Sequence, residues 1–380
     1  MSDLLRIRPA ATDDMIAVFD DAATIAHGCA FEVALARAQA ACGVIAPDLA
    51  EAIAAGVDPA RIDPAALAEE AALAGTLAIP LVARLRAMVG GEAGRALHRG
   101  ATSQDVADTV LMLQVREAHR LLVVDARRVV DALAMHARAH VERRAIGRTL
   151  LQDAMPLAFG LRLAHAARGI GDALAMLDTA VAAHAVVQLG GAAGTRAGMD
   201  GKGVAVAAHL ADALGLGRSA PWQARRTGIA AIGVALGILI GALGKFARDV
   251  SLLAQNGVGE AREPLIAGRG GSSAMAHKRN PTGCQVALSA AARAPGLVAS
   301  LLGGLPQELE RGLGGWQAEG PMLADLFLLA SGSAAVLAVV AEGLEIDADA
   351  IARNLAAAGV GDDIGESAAI LAELLDGLED

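Results

Sequence analysis

Residues 268–281 read GRGGSSAMAHKRNP, a set of residue types suited to holding an anion. Gly268, Gly270 and Gly271 with Ser272 and Ser273 make a loop whose backbone can approach a ligand closely. Asn280 and Pro281 read as an N-cap and first helical residue, so the next helix would aim its positive dipole end at the loop. Lys278 and Arg279 add full charges. Donors gathered this way favour a species whose negative charge grows in the transition state. A plain glycine linker before a capped helix accounts for the same residues, and the GxxxxGK[ST] spacing of a P-loop is missing.

Two further stretches carry polar groups at suggestive spacing. Residues 98–105, HRGATSQD, offer His98, Thr102, Ser103 and Gln104 as donors to carboxylate oxygens, although Thr102 or Ser103 would equally cap a helix starting at Val106. Residues 147–152, GRTLLQ, place Thr149 and Gln152 at capping-box spacing. His136 and His140 sit four apart, but no glutamate or third ligand accompanies them as in HExxH, and they read as a surface pair with no metal.

The elements that would position these residues are helices. Alanine and leucine dominate an apolar content of 54%, tyrosine is absent, and few runs alternate with period two. Leu111, Val115, Ala118, Leu122, Val129 and Leu133 recur at helical steps, and similar patterns cover 157–187, 203–216, 226–256 and 283–302. Gly-rich breaks separate them, which predicts an all-α bundle of long helices. Pro47, Pro59, Pro64 and Pro80 punctuate shorter helices before residue 105. The expected division is an N-terminal domain over 1–105, a central bundle over 106–345 and a short C-terminal domain over 346–380.

Charge and cysteine content narrow the class. A net charge of −10 without a basic stripe argues against nucleic acid and anionic membrane partners. Cys29, Cys42 and Cys284 form no CxxC pair, which suggests reduced thiols, and the N-terminus lacks a secretory pattern; the expected location is cytoplasmic. Residues 228–244 are wholly apolar, but that run is shorter than the ~20 residues of a membrane span. Burial inside a bundle or oligomer is the reading preferred.

In this order, HRGATSQD, GRTLLQ and GSSAMAHKRNP resemble the three signature regions of the fumarase/aspartase superfamily, the third standing close to the family's GSSxMPxKxNP. The likeness runs from about Phe31 to about Glu319. It implies a helical protomer in a homotetramer with a twenty-helix core, and active sites that each draw the three regions from three subunits. ATSQD at 101–105, QLGGAAGT at 188–195, PWQARR at 221–226 and ERGLGGWQAE at 310–319 look most similar to the superfamily's lactonising cycloisomerases. The resemblance gives Ser272 the proton transfer, with Lys278 and Asn280 holding the carboxylate on which charge accumulates. It gives Thr102, Ser103, Gln104, Thr149 and Gln152 the remaining carboxylates, Arg226 a further anion contact, and His98 a place near substrate. It implies no cofactor and a small polycarboxylate substrate.

Leu150 stands where adenylosuccinate lyases of the superfamily carry histidine. A strongly basic leaving group benefits from a general acid. A carboxylate, with a pKa of roughly 4, departs unprotonated. Leu150 therefore favours lactonisation; a C–N or C–O lyase releasing fumarate, or a non-catalytic structural relative, are the alternatives. Two departures from the family pattern are Ala276 in place of proline and a C-terminal domain shorter than usual.

Overall fold

The computed structural model describes residues 4–271, 274–275 and 278–378. The N-terminal helices, short except for the 21-residue α3, come first: α1 (Leu4–Ile7), α2 (Asp13–Val18), α3 (Asp21–Ala41), α4 (Pro47–Gly56), α5 (Pro64–Ala74), α6 (Ala78–Val89) and α7 (Gly91–Ala96). Next come α8 (Ser103–Ala139), the hairpin β1 (Arg144–Thr149) and β2 (Gln152–Ala158), α9 (Phe159–His184), α10 (Gly203–Leu214) and α11 (Thr227–Leu253). The chain continues through β3 (Ala261–Arg262), α12 (Thr282–Gly303), α13 (Gly315–Glu342), β4 (Glu345–Ile346), α14 (Ala348–Ala358) and α15 (Ser367–Leu375).

Five long helices make the bundle, and side-chain pairings fix their directions. Arg226 beside Asp108 and Glu319 places the starts of α8, α11 and α13 together, and Arg128 on Glu342 joins the later parts of α8 and α13. His119 on Asp178 runs α9 antiparallel to α8. All six apolar residues named on α8 are buried. The bundle thus has a near end, where α8, α11 and α13 begin, and a far end, where α12 begins and the β1–β2 hairpin turns.

Helix α11 is 27 residues long, so the length argument against a membrane span fails: α11, α12 and α13 are each long and apolar enough to cross one. What places α11 is packing. Leu236, Leu239, Ile240 and Leu243 are fully buried. A Cβ on Gly233, Gly237 or Gly244 would lie 2.3–2.7 Å from Leu301, Val298 or Ala291, so these glycines let α12 lie directly on α11. Helix α12 is the exception to burial, with only Gly283, Cys284, Ala287, Ala290, Ala294 and Leu301 enclosed. An open groove of about 850 Å³, lined among others by Met176, Ala180, Val234, Ile238 and Leu302, runs along α9, α11 and the end of α12.

Candidate active site

At the near end the polar residues divide into those that face outward and those spent inside. Helix α8 starts at Ser103 rather than Val106, with Thr102 at the N-cap position. The Thr102 N–H donates to Asp105 Oδ2 at 3.0 Å. Asp105 also accepts from the N–H groups of Gly190 (2.7 Å) and Gly191 (2.9 Å), stapling the QLGG stretch to the helix start. Burial pushes its carboxyl up to about 6, against the pull of those backbone donors. The Thr102 hydroxyl accepts from Arg311 Nη2 at 2.9 Å, and Ser103 is half-buried beside it in sequence.

Two of the expected ligand contacts are enclosed within this chain. Gln104 is fully buried and its Nε2 donates to the Gln223 carbonyl at 2.9 Å, tying the start of α8 to the loop before α11. Arg226 is buried, with Asp108 on Nη1 and Nη2 at 2.8 Å each and Glu319 on Nε at 3.0 Å. Its guanidinium also stacks 4.7 Å over Trp222. Its Nε, its Nη2 and one face are thus committed to neighbours within the chain. The positive group that reaches the Thr102 hydroxyl is Arg311, whose Nε is enclosed with no partner among the described residues. Arg311 belongs to ERGLGGWQAE, and an arginine opening a glycine-rich turn is its signal in the sequence.

At the far end, GRTLLQ is a hairpin tip and not a helix start. Thr149 pairs with Gln152, and Leu150 and Leu151 form the two-residue turn with φ of 52° and 64°. Both leucines are exposed, at 95% and 75%. Just below the tip the hairpin is anchored by Arg148, whose Nη2 donates to the buried Glu260 carboxylate at 2.7 Å, and Asn354 on α14 donates to the same oxygen at 2.8 Å. Thr149 and Gln152 are exposed to surroundings outside this chain.

Lys278 also lies at the far end, exposed, with Arg279, Asn280, Arg262 and Gly271 around a 160 Å³ cavity. The capping expectation is corrected. Asn280 donates its amide to Gly271 O at 3.2 Å, closing the loop, and Pro281 takes the N-cap position without a side-chain bond. The free N–H groups of Gly283 and Cys284 are met by Glu263, at 3.0 and 2.7 Å. A buried carboxylate thus answers the helix dipole, and positive charge facing the cavity comes from Lys278 and arginine side chains instead. Ser272 and Ala276 lie outside the described residues. His140 accepts from Arg143 Nε at 3.0 Å, and His136 stacks against it.

The three stretches do not meet within one chain. Helix α8 alone has 37 residues, about 55 Å, between Thr102 and the hairpin that follows it. His98, Thr102 and Arg311 occupy the near end; Thr149, Gln152 and Lys278 occupy the far end.

Long helices packed around an apolar core, with donor-rich ends and a glycine loop ahead of α12, define a lyase of the fumarase/aspartase type. The chain belongs to the lyase family, whose profile matches residues 9–296. It is 45% identical over 345 residues to 3-carboxy-cis,cis-muconate cycloisomerase of Bradyrhizobium diazoefficiens, covering 90% of this chain and 76% of the relative. The crystal structure of 3-carboxy-cis,cis-muconate lactonizing enzyme from Pseudomonas putida superposes with a TM-score of 0.87 at 39% identity, covering 93% and 79% of the two chains. Nitrosuccinate lyase of Streptomyces davaonensis is 40% identical over 372 residues, 94% of this chain and 78% of that one.

Proposed function

We propose that the protein interconverts 3-carboxy-cis,cis-muconate and 4-carboxymuconolactone, working in the cytoplasm on the protocatechuate branch of aromatic breakdown. The observation that carries this is the 45% identity to a cycloisomerase over nine-tenths of the chain. Leu150 supports it, since the hairpin tip brings an apolar side chain where an acid would serve a basic leaving group. In the lactonising direction a substrate carboxylate oxygen bonds to the alkene carbon. The alkene's electron pair moves to the carbon beside a second carboxylate, giving an aci-carboxylate, and Ser272 delivers the proton there. Lys278 and Asn280 neutralise the growing charge, which raises kcat because the interaction strengthens in the transition state.

His98, Thr102, Ser103 and Arg311 hold the remaining carboxylates from another chain's near end, and Thr149 and Gln152 from a third chain's hairpin. The separation of the two bundle ends supports sites that draw on more than one subunit, as do the exposed leucines at the tip and the uncovered flank of α12; the arrangement proposed is a homotetramer with each site shared by three subunits. Mixing purified protein with the muconate and following loss of diene absorbance tests the reaction. Turnover that disappears in Ser272→Ala is expected; no loss of absorbance by an intact oligomer at high concentration would sink it.

One observation favours a second reading. A nitrosuccinate lyase aligns with 94% of the chain. Nitrite, like carboxylate, is a weakly basic leaving group, so Leu150 suits its β-elimination equally well. Release of nitrite and fumarate in equal amounts from nitrosuccinate, with the muconate untouched, would select this reading.

A further inference from the structure

Glu32 presents a problem of placement. It lies on α3 with its side chain fully buried. Its Oε1 sits 2.6 Å from His98 Nδ1, and its Oε2 is enclosed without a hydrogen-bond partner among the described residues. Burying a carboxylate with so little compensation is expensive. A structural role would be served better by an apolar residue, as at the flanking Phe31 and Leu35, both buried.

His98 is itself held in a costly shape. Its φ is 65°, a left-handed conformation that costs on the order of 1–3 kcal/mol for such a residue. The next residue is bolted down: Gln39 donates to the Arg99 carbonyl at 2.6 Å, and Arg99 donates to Val44 O at 3.0 Å and Gly198 O at 3.1 Å. The imidazole is 15% exposed, so one edge still reaches the surface. An ionised carboxylate only accepts, so the proton between the two groups sits on Nδ1 and Nε2 is the nitrogen left for a ligand.

We infer that Glu32 is a positioning residue that accepts from His98 Nδ1–H and so turns the Nε2 edge of the ring, as the N–H donor of an imidazolium, toward a substrate carboxylate. Glu32 touches no substrate; it acts through His98. The inference rests on the reading that His98 meets a polycarboxylate, and the experiment separates the two.

The test compares wild type, Glu32→Met, Glu32→Gln, His98→Leu and the Glu32→Met/His98→Leu pair, each confirmed as an oligomer of wild-type size. Two quantities are measured: kcat and KM on the muconate, and affinity for tricarballylate, an unreactive tricarboxylate, by calorimetry. Glu32→Met should raise KM and weaken tricarballylate at least tenfold with a smaller change in kcat. The double variant should fall no further than His98→Leu alone, because the two residues act as one unit. Glu32→Gln keeps an acceptor for Nδ1–H without the charge and should fall between wild type and Glu32→Met. It also serves if the methionine variant does not assemble. Losses that multiply in the double variant would show Glu32 acting through the fold and would overturn the inference. So would a Glu32→Met protein within twofold of wild type, or a wild type that does not bind tricarballylate. Tricarballylate binding with the expected pattern but no muconate turnover would leave the positioning role standing and remove the proposed reaction.

Discussion

At Arg226 the guanidinium has two carboxylates and an indole face as neighbours, all within the bundle. Removing it strands the Asp108 and Glu319 charges in the interior. Arg226→Gln should therefore cost about 3–5 kcal/mol, seen as a lowered Tm, while the folded fraction keeps its KM. A normal Tm with a raised KM would return Arg226 to the ligand. Asp105 makes a prediction about pH. Its folded pKa, about 6, lies above the unfolded value of about 3.9. Stability from this group is therefore complete below pH ~4 and is lost as pH rises through 6, by roughly 3 kcal/mol. Melts from pH 4 to 7 should show wild type losing ground relative to Asp105→Asn as pH increases; parallel curves would contradict the assignment. The residue types of the three polar stretches were legible in the sequence, but their direction was not. Gln104 and Thr102 are two positions apart on α8's first turn, and only packing decides that one is enclosed and the other is not. Glu32 was legible in principle, as an acid within the buried run Phe31, Ala34, Leu35, Ala38.

Elements were read from the sequence where periodicity ran uninterrupted, and missed where local signals misled. The patterns over 203–216 and 283–302 match α10 and α12 to within two residues at each end. Helix α13 was not picked out, because Pro321 and Gly332 break its pattern. The β1–β2 hairpin was hidden because Thr149 and Gln152 mimic a capping box and Leu-Leu carries no turn signal. Two-residue hairpins with positive φ at both central positions prefer Asn-Gly, and leucine in that conformation costs about 1–2 kcal/mol per residue. Replacing Leu150 and Leu151 by Asn and Gly should stabilise the isolated protomer by roughly 1–2 kcal/mol in denaturant titrations. An unchanged midpoint would mean that the turn stores no strain. If the tip roofs a site in another chain, the same variant loses kcat/KM while gaining stability. That pairing of effects marks a segment shaped for its contact with another chain.

On the scale of the whole molecule, the distance between the bundle's ends makes a prediction that needs two defective proteins. His98→Leu damages the near end and Lys278→Met the far end, and each alone should lose kcat/KM at least tenfold. Dissociated, mixed and reassembled, they should regain activity, because some mixed sites draw each region from an undamaged chain. Sites built within single chains would stay as weak in the mixture as in the two variants alone. Helix α12 carries a consequence for how the protein is made. Its flank is apolar, only 22% of its most hydrophobic window is covered by its own chain, and it lies beside the 850 Å³ groove. A newly synthesised chain leaves the ribosome with that flank bare, and whatever covers it first decides its fate. Yield in a cell should then depend on the race between encounter with a sister chain and capture by a chaperone or an aggregate, so slower synthesis at lower temperature with added chaperone should recover more soluble protein.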